Sequence, residues 1–130
     1  MYGVIPSLRF ADLPEAMAFY VDTLGFDVLR DSADQGNVSL GFGVARLMLE
    51  IAGDFYSDEY NAAIAERLGG RSADALYLES SELEAYYERL RAAGVTIVDP
   101  LAERPWGQAE FTVADHVGNW LTFWAVTQGP

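Results

Sequence analysis

The stretch GNWLTFW, residues 118–124, sets Trp120, Thr122 and Trp124 at alternate positions. On a β-strand these three share one face, and Leu121 and Phe123 share the other. Two indoles flanking a hydroxyl offer flat π surfaces of about 150–250 Å² each, suited to stacking on an aromatic guest or to holding a cation. The plain alternative is that both indoles fill a core. Glu50, in LMLE, is the second suggestive residue. A carboxylate among apolar neighbours must be paired, protonated or close to water. Either an arginine such as Arg9 satisfies it, or it awaits a cationic ligand. It is also the one credible general base, with no second titrating group evident beside it. GDFYSDEY, residues 53–60, gathers Phe55, Tyr56 and Tyr60 with Asp54, Asp58 and Glu59. Over the mouth of a pocket that mixture favours a flat cation; otherwise its aromatics pack the segment onto the body.

Composition removes other chemistries. The 130 residues hold no cysteine, which excludes disulfides, thiolate catalysis and cysteine-ligated metal. All eight cations are arginine, so lysine Schiff bases and lysine bases are excluded too. The single histidine, His116, lies in the turn DHVGN and reads as a surface residue rather than a ligand. A net charge of −12 disfavours nucleic acid as a partner. The same field either keeps the protein soluble or draws cationic ligands toward it. No apolar run is long enough to span a bilayer and no signal peptide is evident, so no membrane partner and a cytoplasmic location are expected.

These residues need elements to position them, and the elements come twice. VIPSLRF reads as a strand and ADLPEAMAFYVDTLGF as a helix, opened by Asp12 and Glu15 at capping-box spacing and closed by Gly25. FDVLR, NVSLGFG and ARLMLEIA follow as strands. ALYLE then reads as a strand and SSELEAYYERLRAAG as a helix, with Ser81 and Glu84 at capping-box spacing and Gly94 at its end. VTIVDP, AEFTVAD and NWLTFWA complete the second set. Leu13 maps to Leu83, Gly25 to Gly94 and Glu50 to Thr122, offsets of 70, 69 and 72. So steady an offset implies a duplicated β-α-β-β-β unit. The expected class is α+β, with module one at 1–52, a connector containing a short helix at 53–73, and module two at 74–127. One helix covers one face of each curved sheet, leaving the other to enclose a cavity. By strand parity Ile5, Ser7, Met48, Glu50, Ala75, Tyr77, Trp120, Thr122 and Trp124 face that cavity.

FYVDTLGF (19–26), LMLE (47–50), RAAGV (91–95) and RPWGQAEFTVADHVGN (104–119) together resemble the glyoxalase/bleomycin-resistance/extradiol-dioxygenase, or vicinal oxygen chelate, superfamily. The tail of the last motif is most similar to the bleomycin-resistance-like branch. The resemblance implies paired βαβββ modules in a homodimer, with or without exchange of modules between chains. It places the metal-ligand positions of the family's enzymes at Ile5, Glu50, Ala75 and Thr122, of which Glu50 alone is suited to a metal. It also sets Trp106 near the cavity rim. Where relatives often carry arginine before EF, this chain has Ala109, which puts an ion pair there in doubt.

The expectation is a non-catalytic protein that sequesters a cationic, aromatic antibiotic of the bleomycin type, with no cofactor and no metal. Its ligand-binding set is Ser7, Met48, Glu50, Phe55, Tyr56, Tyr60, Tyr77, Trp106, Trp120, Thr122 and Trp124. The alternative is a lyase, isomerase or dioxygenase of the same superfamily, metal-dependent or using Glu50 as its base.

Overall fold

A computed structural model describes residues 4–51, 56–68 and 74–127. The chain divides into two units, Met1–Gly70 and Arg71–Pro130. Phe55 lies outside the described residues.

In the first unit β1 (Ser7–Phe10), β2 (Asp27–Ser32), β3 (Asn37–Phe42) and β4 (Ala45–Ile51) form one sheet in the order β1-β4-β3-β2. β1 runs parallel to β4 and the remaining pairs are antiparallel. The strand expected from VIPSLRF begins only at Ser7. Pro6 has no N–H for the ladder, although its carbonyl accepts from Met48 N at 2.9 Å. Helix α1 (Leu13–Met17) opens on Asp12, whose Oδ1 accepts from Glu15 N at 3.0 Å, and continues as a π-helical turn over Ala18–Thr23. Gly25, at φ 81°, ends it. α1 and its continuation bury Leu13, Ala16, Tyr20 and Leu24. Tyr20 meets Phe10 and Phe26 edge-on, with centroids 6.0 and 5.6 Å away. The helix therefore covers the sheet face bearing Phe10, Val38, Leu40, Leu47 and Leu49. Helix α2 (Asp58–Arg67) follows, capped by Ser57 Oγ on Tyr60 N.

The second unit repeats the plan. β5 (Ala75–Glu79), β6 (Thr96–Arg104), β7 (Gln108–Ala114) and β8 (Trp120–Val126) order as β5-β8-β7-β6, with β5 parallel to β8. Helix α3 (Leu83–Ala92) sets Tyr86 edge-on to Phe123 and Tyr87 at a tilt to Phe111, each with ring centroids 4.9 Å apart. Its start corrects the expectation for Ser81. Ser80, buried at the end of β5, accepts from Glu82 N at 3.3 Å, and the helix begins at Leu83 with no side-chain cap. β6 runs past the expected VTIVDP; as an edge strand with bulges it tolerates Pro100. The two-unit α+β architecture expected from the repeat is thus present, each unit carrying one four-stranded mixed sheet.

The turn before β8 depends on Asp115. Its Oδ1 accepts from Val117 N (3.0 Å) and Asn119 N (2.8 Å), and its Oδ2 from Asn119 Nδ2 (2.9 Å). Asp115→Ala is expected to cost about 2–3 kcal/mol in urea melts, because three hydrogen bonds to a buried charged acceptor are lost together. Asp115→Asn, which keeps one acceptor oxygen, is expected to cost roughly half as much.

Candidate functional site

Each sheet leaves the face opposite its helix to polar and aromatic side chains. In the first unit that face carries Ser7, Arg9, Met48 and Glu50. The parallel register pairs Ser7 with Met48 and Arg9 with Glu50, so the four stand together. Glu50 is only 9% exposed, and both its oxygens are engaged. Ser7 Oγ donates to Oε1 at 2.7 Å and Tyr56 Oη to Oε2 at 2.8 Å, while Arg9 Nη2 lies 3.7 Å from Oε2. Burial of this carboxylate is thereby compensated by hydrogen bonds and charge. The pairing to Arg9 considered from the sequence is present. Ile5 lies before β1 and is exposed.

The connector supplies the rest. Arg9 Nη2 donates to Tyr60 Oη at 2.8 Å, and its guanidinium carbon sits 5.1 Å and 5.4 Å from the centroids of the Tyr56 and Tyr60 rings. The hydrogen bond to Glu50, with lesser help from desolvation, raises the Tyr56 pKa above the ordinary tyrosine value. Folded Tyr56 then holds its proton to higher pH than the unfolded chain does. The contribution is present below the ordinary tyrosine range and is lost as pH rises through the raised value. Alkaline titration followed by the Tyr56 ring resonances is expected to show Tyr56 ionising late, moved back toward the ordinary value by Glu50→Gln.

In the second unit the alternation expected for GNWLTFW holds: Leu121 and Phe123 are fully buried toward α3, and Trp120, Thr122 and Trp124 share the opposite face. Trp120 is 41% exposed and Trp124 half-buried. Thr122 is buried, and its hydroxyl hydrogen-bonds Thr112 across the strands at 2.7 Å. It acts as a spacer between the indoles. Tyr77 pairs with Thr122 from β5 and is well exposed; Ala75 pairs with Trp120. Trp106 occupies the exposed tip of the β6–β7 turn, where Gly107, at φ 84°, donates to Arg104 O at 3.2 Å. His116 is half-buried in the Asp115 turn.

Two residues of this face went unnoticed in the sequence. Glu110 pairs in register with Trp124 and is 8% exposed. Its Oε1 lies 3.4 Å from Arg104 Nε, and its buried Oε2 has no hydrogen-bond partner. Arg104 also bonds Asp99. Ala109 itself brings no charge to this face, and the ion pair on Glu110 comes from β6. Parity counted from Phe111 puts Glu110 on the Thr112 face, and the hairpin register brings Arg104 to the same side; those were the available signals. A groove of about 780 Å³ lies on the helix side, between residues 81–85, 101–103 and 125–127. None of the expected site residues lines it.

The resemblance implies a divalent metal for the family's enzymes, and the described residues do not fit one. Ile5 and Ala75 carry no donor, Thr122 is bonded to Thr112, and the oxygens of Glu50 are held by Ser7 and Tyr56. Among the described residues no three His, Asp or Glu side chains gather closely enough to hold an ion.

Comparison with known proteins places this geometry. The sequence matches the family described as Glyoxalase/Bleomycin resistance protein/Dioxygenase superfamily over residues 5–123. Curated proteins give no match. Among solved structures the chain is similar to TioX from Micromonospora sp. ML1, at 24% identity over 97% of this chain and 99% of that one, with a TM-score of 0.75. It is similar to UcmS2 at 26% identity over 98% and 100%, TM-score 0.73. A glyoxalase/bleomycin resistance protein/dioxygenase from Alicyclobacillus acidocaldarius shares the fold at 19% identity over 96% and 91%, TM-score 0.67. Since the family match runs from before β1 into β8, through both β-α-β-β-β units, the chain belongs to the Glyoxalase/Bleomycin resistance protein/Dioxygenase superfamily.

Proposed function

We propose that the chain is a non-catalytic binding protein of the bleomycin-resistance-like branch, sequestering a cationic, aromatic small molecule in the cytoplasm. The observation that carries this reading is the exposed Trp120 on the same strand face as the half-buried Trp124, with Leu121 and Phe123 buried on the other face. A half-open indole offers ring area and quadrupole to a guest without unmaking the core. Ser7, Met48, Glu50, Phe55, Tyr56, Tyr60, Tyr77, Trp106 and Thr122 complete the proposed set, Glu50 supplying countercharge. A net charge of −12 steers a positive drug and raises its on-rate. The same reading takes the chain as a homodimer, as the family resemblance implies.

Protection by sequestration needs at least micromolar affinity, about −8 kcal/mol. Calorimetric titration with bleomycin and other cationic aromatic antibiotics is expected to give saturable binding at that level, with quenching of tryptophan fluorescence. A neutral aromatic of the same size should bind more weakly. Absence of heat with every cationic aromatic antibiotic would refute the drug assignment.

A further inference from the structure

The first unit holds a cation-recognition set that is already filled, and the filler is the chain's own Arg9. Tyr56 and Tyr60 stand with ring centroids 4.7 Å apart and planes inclined by 49°. The Arg9 guanidinium carbon lies within the ~6 Å reach of cation–π attraction to both rings. Two π faces and a carboxylate around one flat cation are what a site for a planar cationic ligand would require.

We propose that Arg9 is a resident stand-in for the ligand's cationic group, and that a guanidinium or amidinium binds between Tyr56 and Tyr60, against Glu50, by displacing it. The inference rests on the cation-binding reading above and adds both the chemistry of the cation and what opposes its entry. Three observations support the exchange. Tyr56 and Tyr60 are 44% and 42% exposed, so a solute reaches their rings, whereas the Arg9 side chain beneath is only 17% exposed. Arg9 lies 3.7 Å from Glu50 Oε2, an ionic contact too long for a hydrogen bond, so an amidinium seated closer gains a bond the resident does not make. And no residue of α2, which carries Tyr60, is buried, so its first turn shifts without opening a core. A planar fork suits the place because it stacks and donates at once; a compact ammonium does not.

Competition with an internal occupant lowers apparent affinity by the fraction of chains in which the place is open. Removing the occupant raises it. The probe is benzamidine, with neutral benzamide as control, followed by calorimetry and by the tyrosine ring resonances. Arg9→Met, which keeps the apolar stem, is expected to bind benzamidine about tenfold more tightly than the natural chain. The gain should vanish in Arg9→Met/Glu50→Gln, and benzamide should bind neither. Arg9→Lys, which keeps the charge but loses the fork, should show a smaller gain and serves if Arg9→Met does not fold. No gain in any folded Arg9 variant, or equal binding of benzamide, would overturn the proposal. Antibiotic binding without a benzamidine gain sinks this inference alone; failure of both ligands sinks it together with the reading it rests on.

Discussion

Trp120→Ala is expected to weaken capture of a cationic aromatic ligand by about thirtyfold or more, the ~2 kcal/mol typical of an aromatic hot spot. Several features make this a clean test. Trp120 is 41% exposed, so its loss removes ring area available to a guest while leaving the fully buried Leu121 and Phe123 in place. Stability should therefore fall by less than about 1 kcal/mol, the range of substitutions away from the core. Trp124 is half-buried and faces Glu110 across the strands, so Trp124→Ala should reduce affinity and stability together. Trp120→Phe keeps a ring and should recover part of the affinity, since indole is the better cation–π partner. His116→Ala, in the turn before the strand, should change affinity less than about twofold, within the small effects usual for residues outside a hot spot. Calorimetry on the four variants, with chemical melts as the control for folding, decides the matter. Equal affinities for Trp120→Ala and the natural chain would remove the indoles from the site.

How far such a face is legible in advance follows from the range of the interactions that build it. Alternation along one strand is local, so the split of Trp120, Thr122 and Trp124 from Leu121 and Phe123 needs only the pleat. The Asp12 cap and the glycine stops at Gly25 and Gly94 are local as well, and the structure has all three. The Ser81 cap is local too, yet Ser80 takes the turn because the strand carries it, buried, to that point. Pairings across strands are another matter. That Thr122 meets Thr112 depends on the β7–β8 register, which no single strand reveals. Glu50 shows the same limit. Arg9 could be named as a partner from charge alone, but Ser7 enters through a parallel pairing 43 residues distant, and Tyr56 through the return of the connector. Glu110 is a third case: its partner Arg104 comes from the neighbouring strand, through a hairpin register that β7 alone does not reveal.

Removing that arginine should produce the largest loss of stability. Arg104→Met is expected to destabilise the fold by about 3 kcal/mol, toward the lower end of what breaking a buried ion pair costs, because the arginine itself is partly exposed. The asymmetry sets the size. Glu110 is more than nine-tenths buried and its Oε2 already lacks a hydrogen-bond partner, so without Arg104 the carboxylate loses its countercharge. The contact between Arg104 and the half-exposed Asp99 adds little, as exposed pairs contribute at most about 1 kcal/mol. Pairing the change with Glu110→Leu removes the stranded charge, and the double variant should regain most of the lost stability. Urea melts of the two single variants and the double give the coupling energy directly. A coupling below about 0.5 kcal/mol, the level at which independent sites merely add, would mean that water rather than Arg104 carries the charge of Glu110. The bearing on function is electrostatic. Glu110 sits opposite Trp124, so a carboxylate neutralised by Arg104 leaves that indole to attract a cation by its π face, whereas a solvated one adds a full negative charge beside it. The same cycle, repeated with ligand bound, shows which of the two the guest meets.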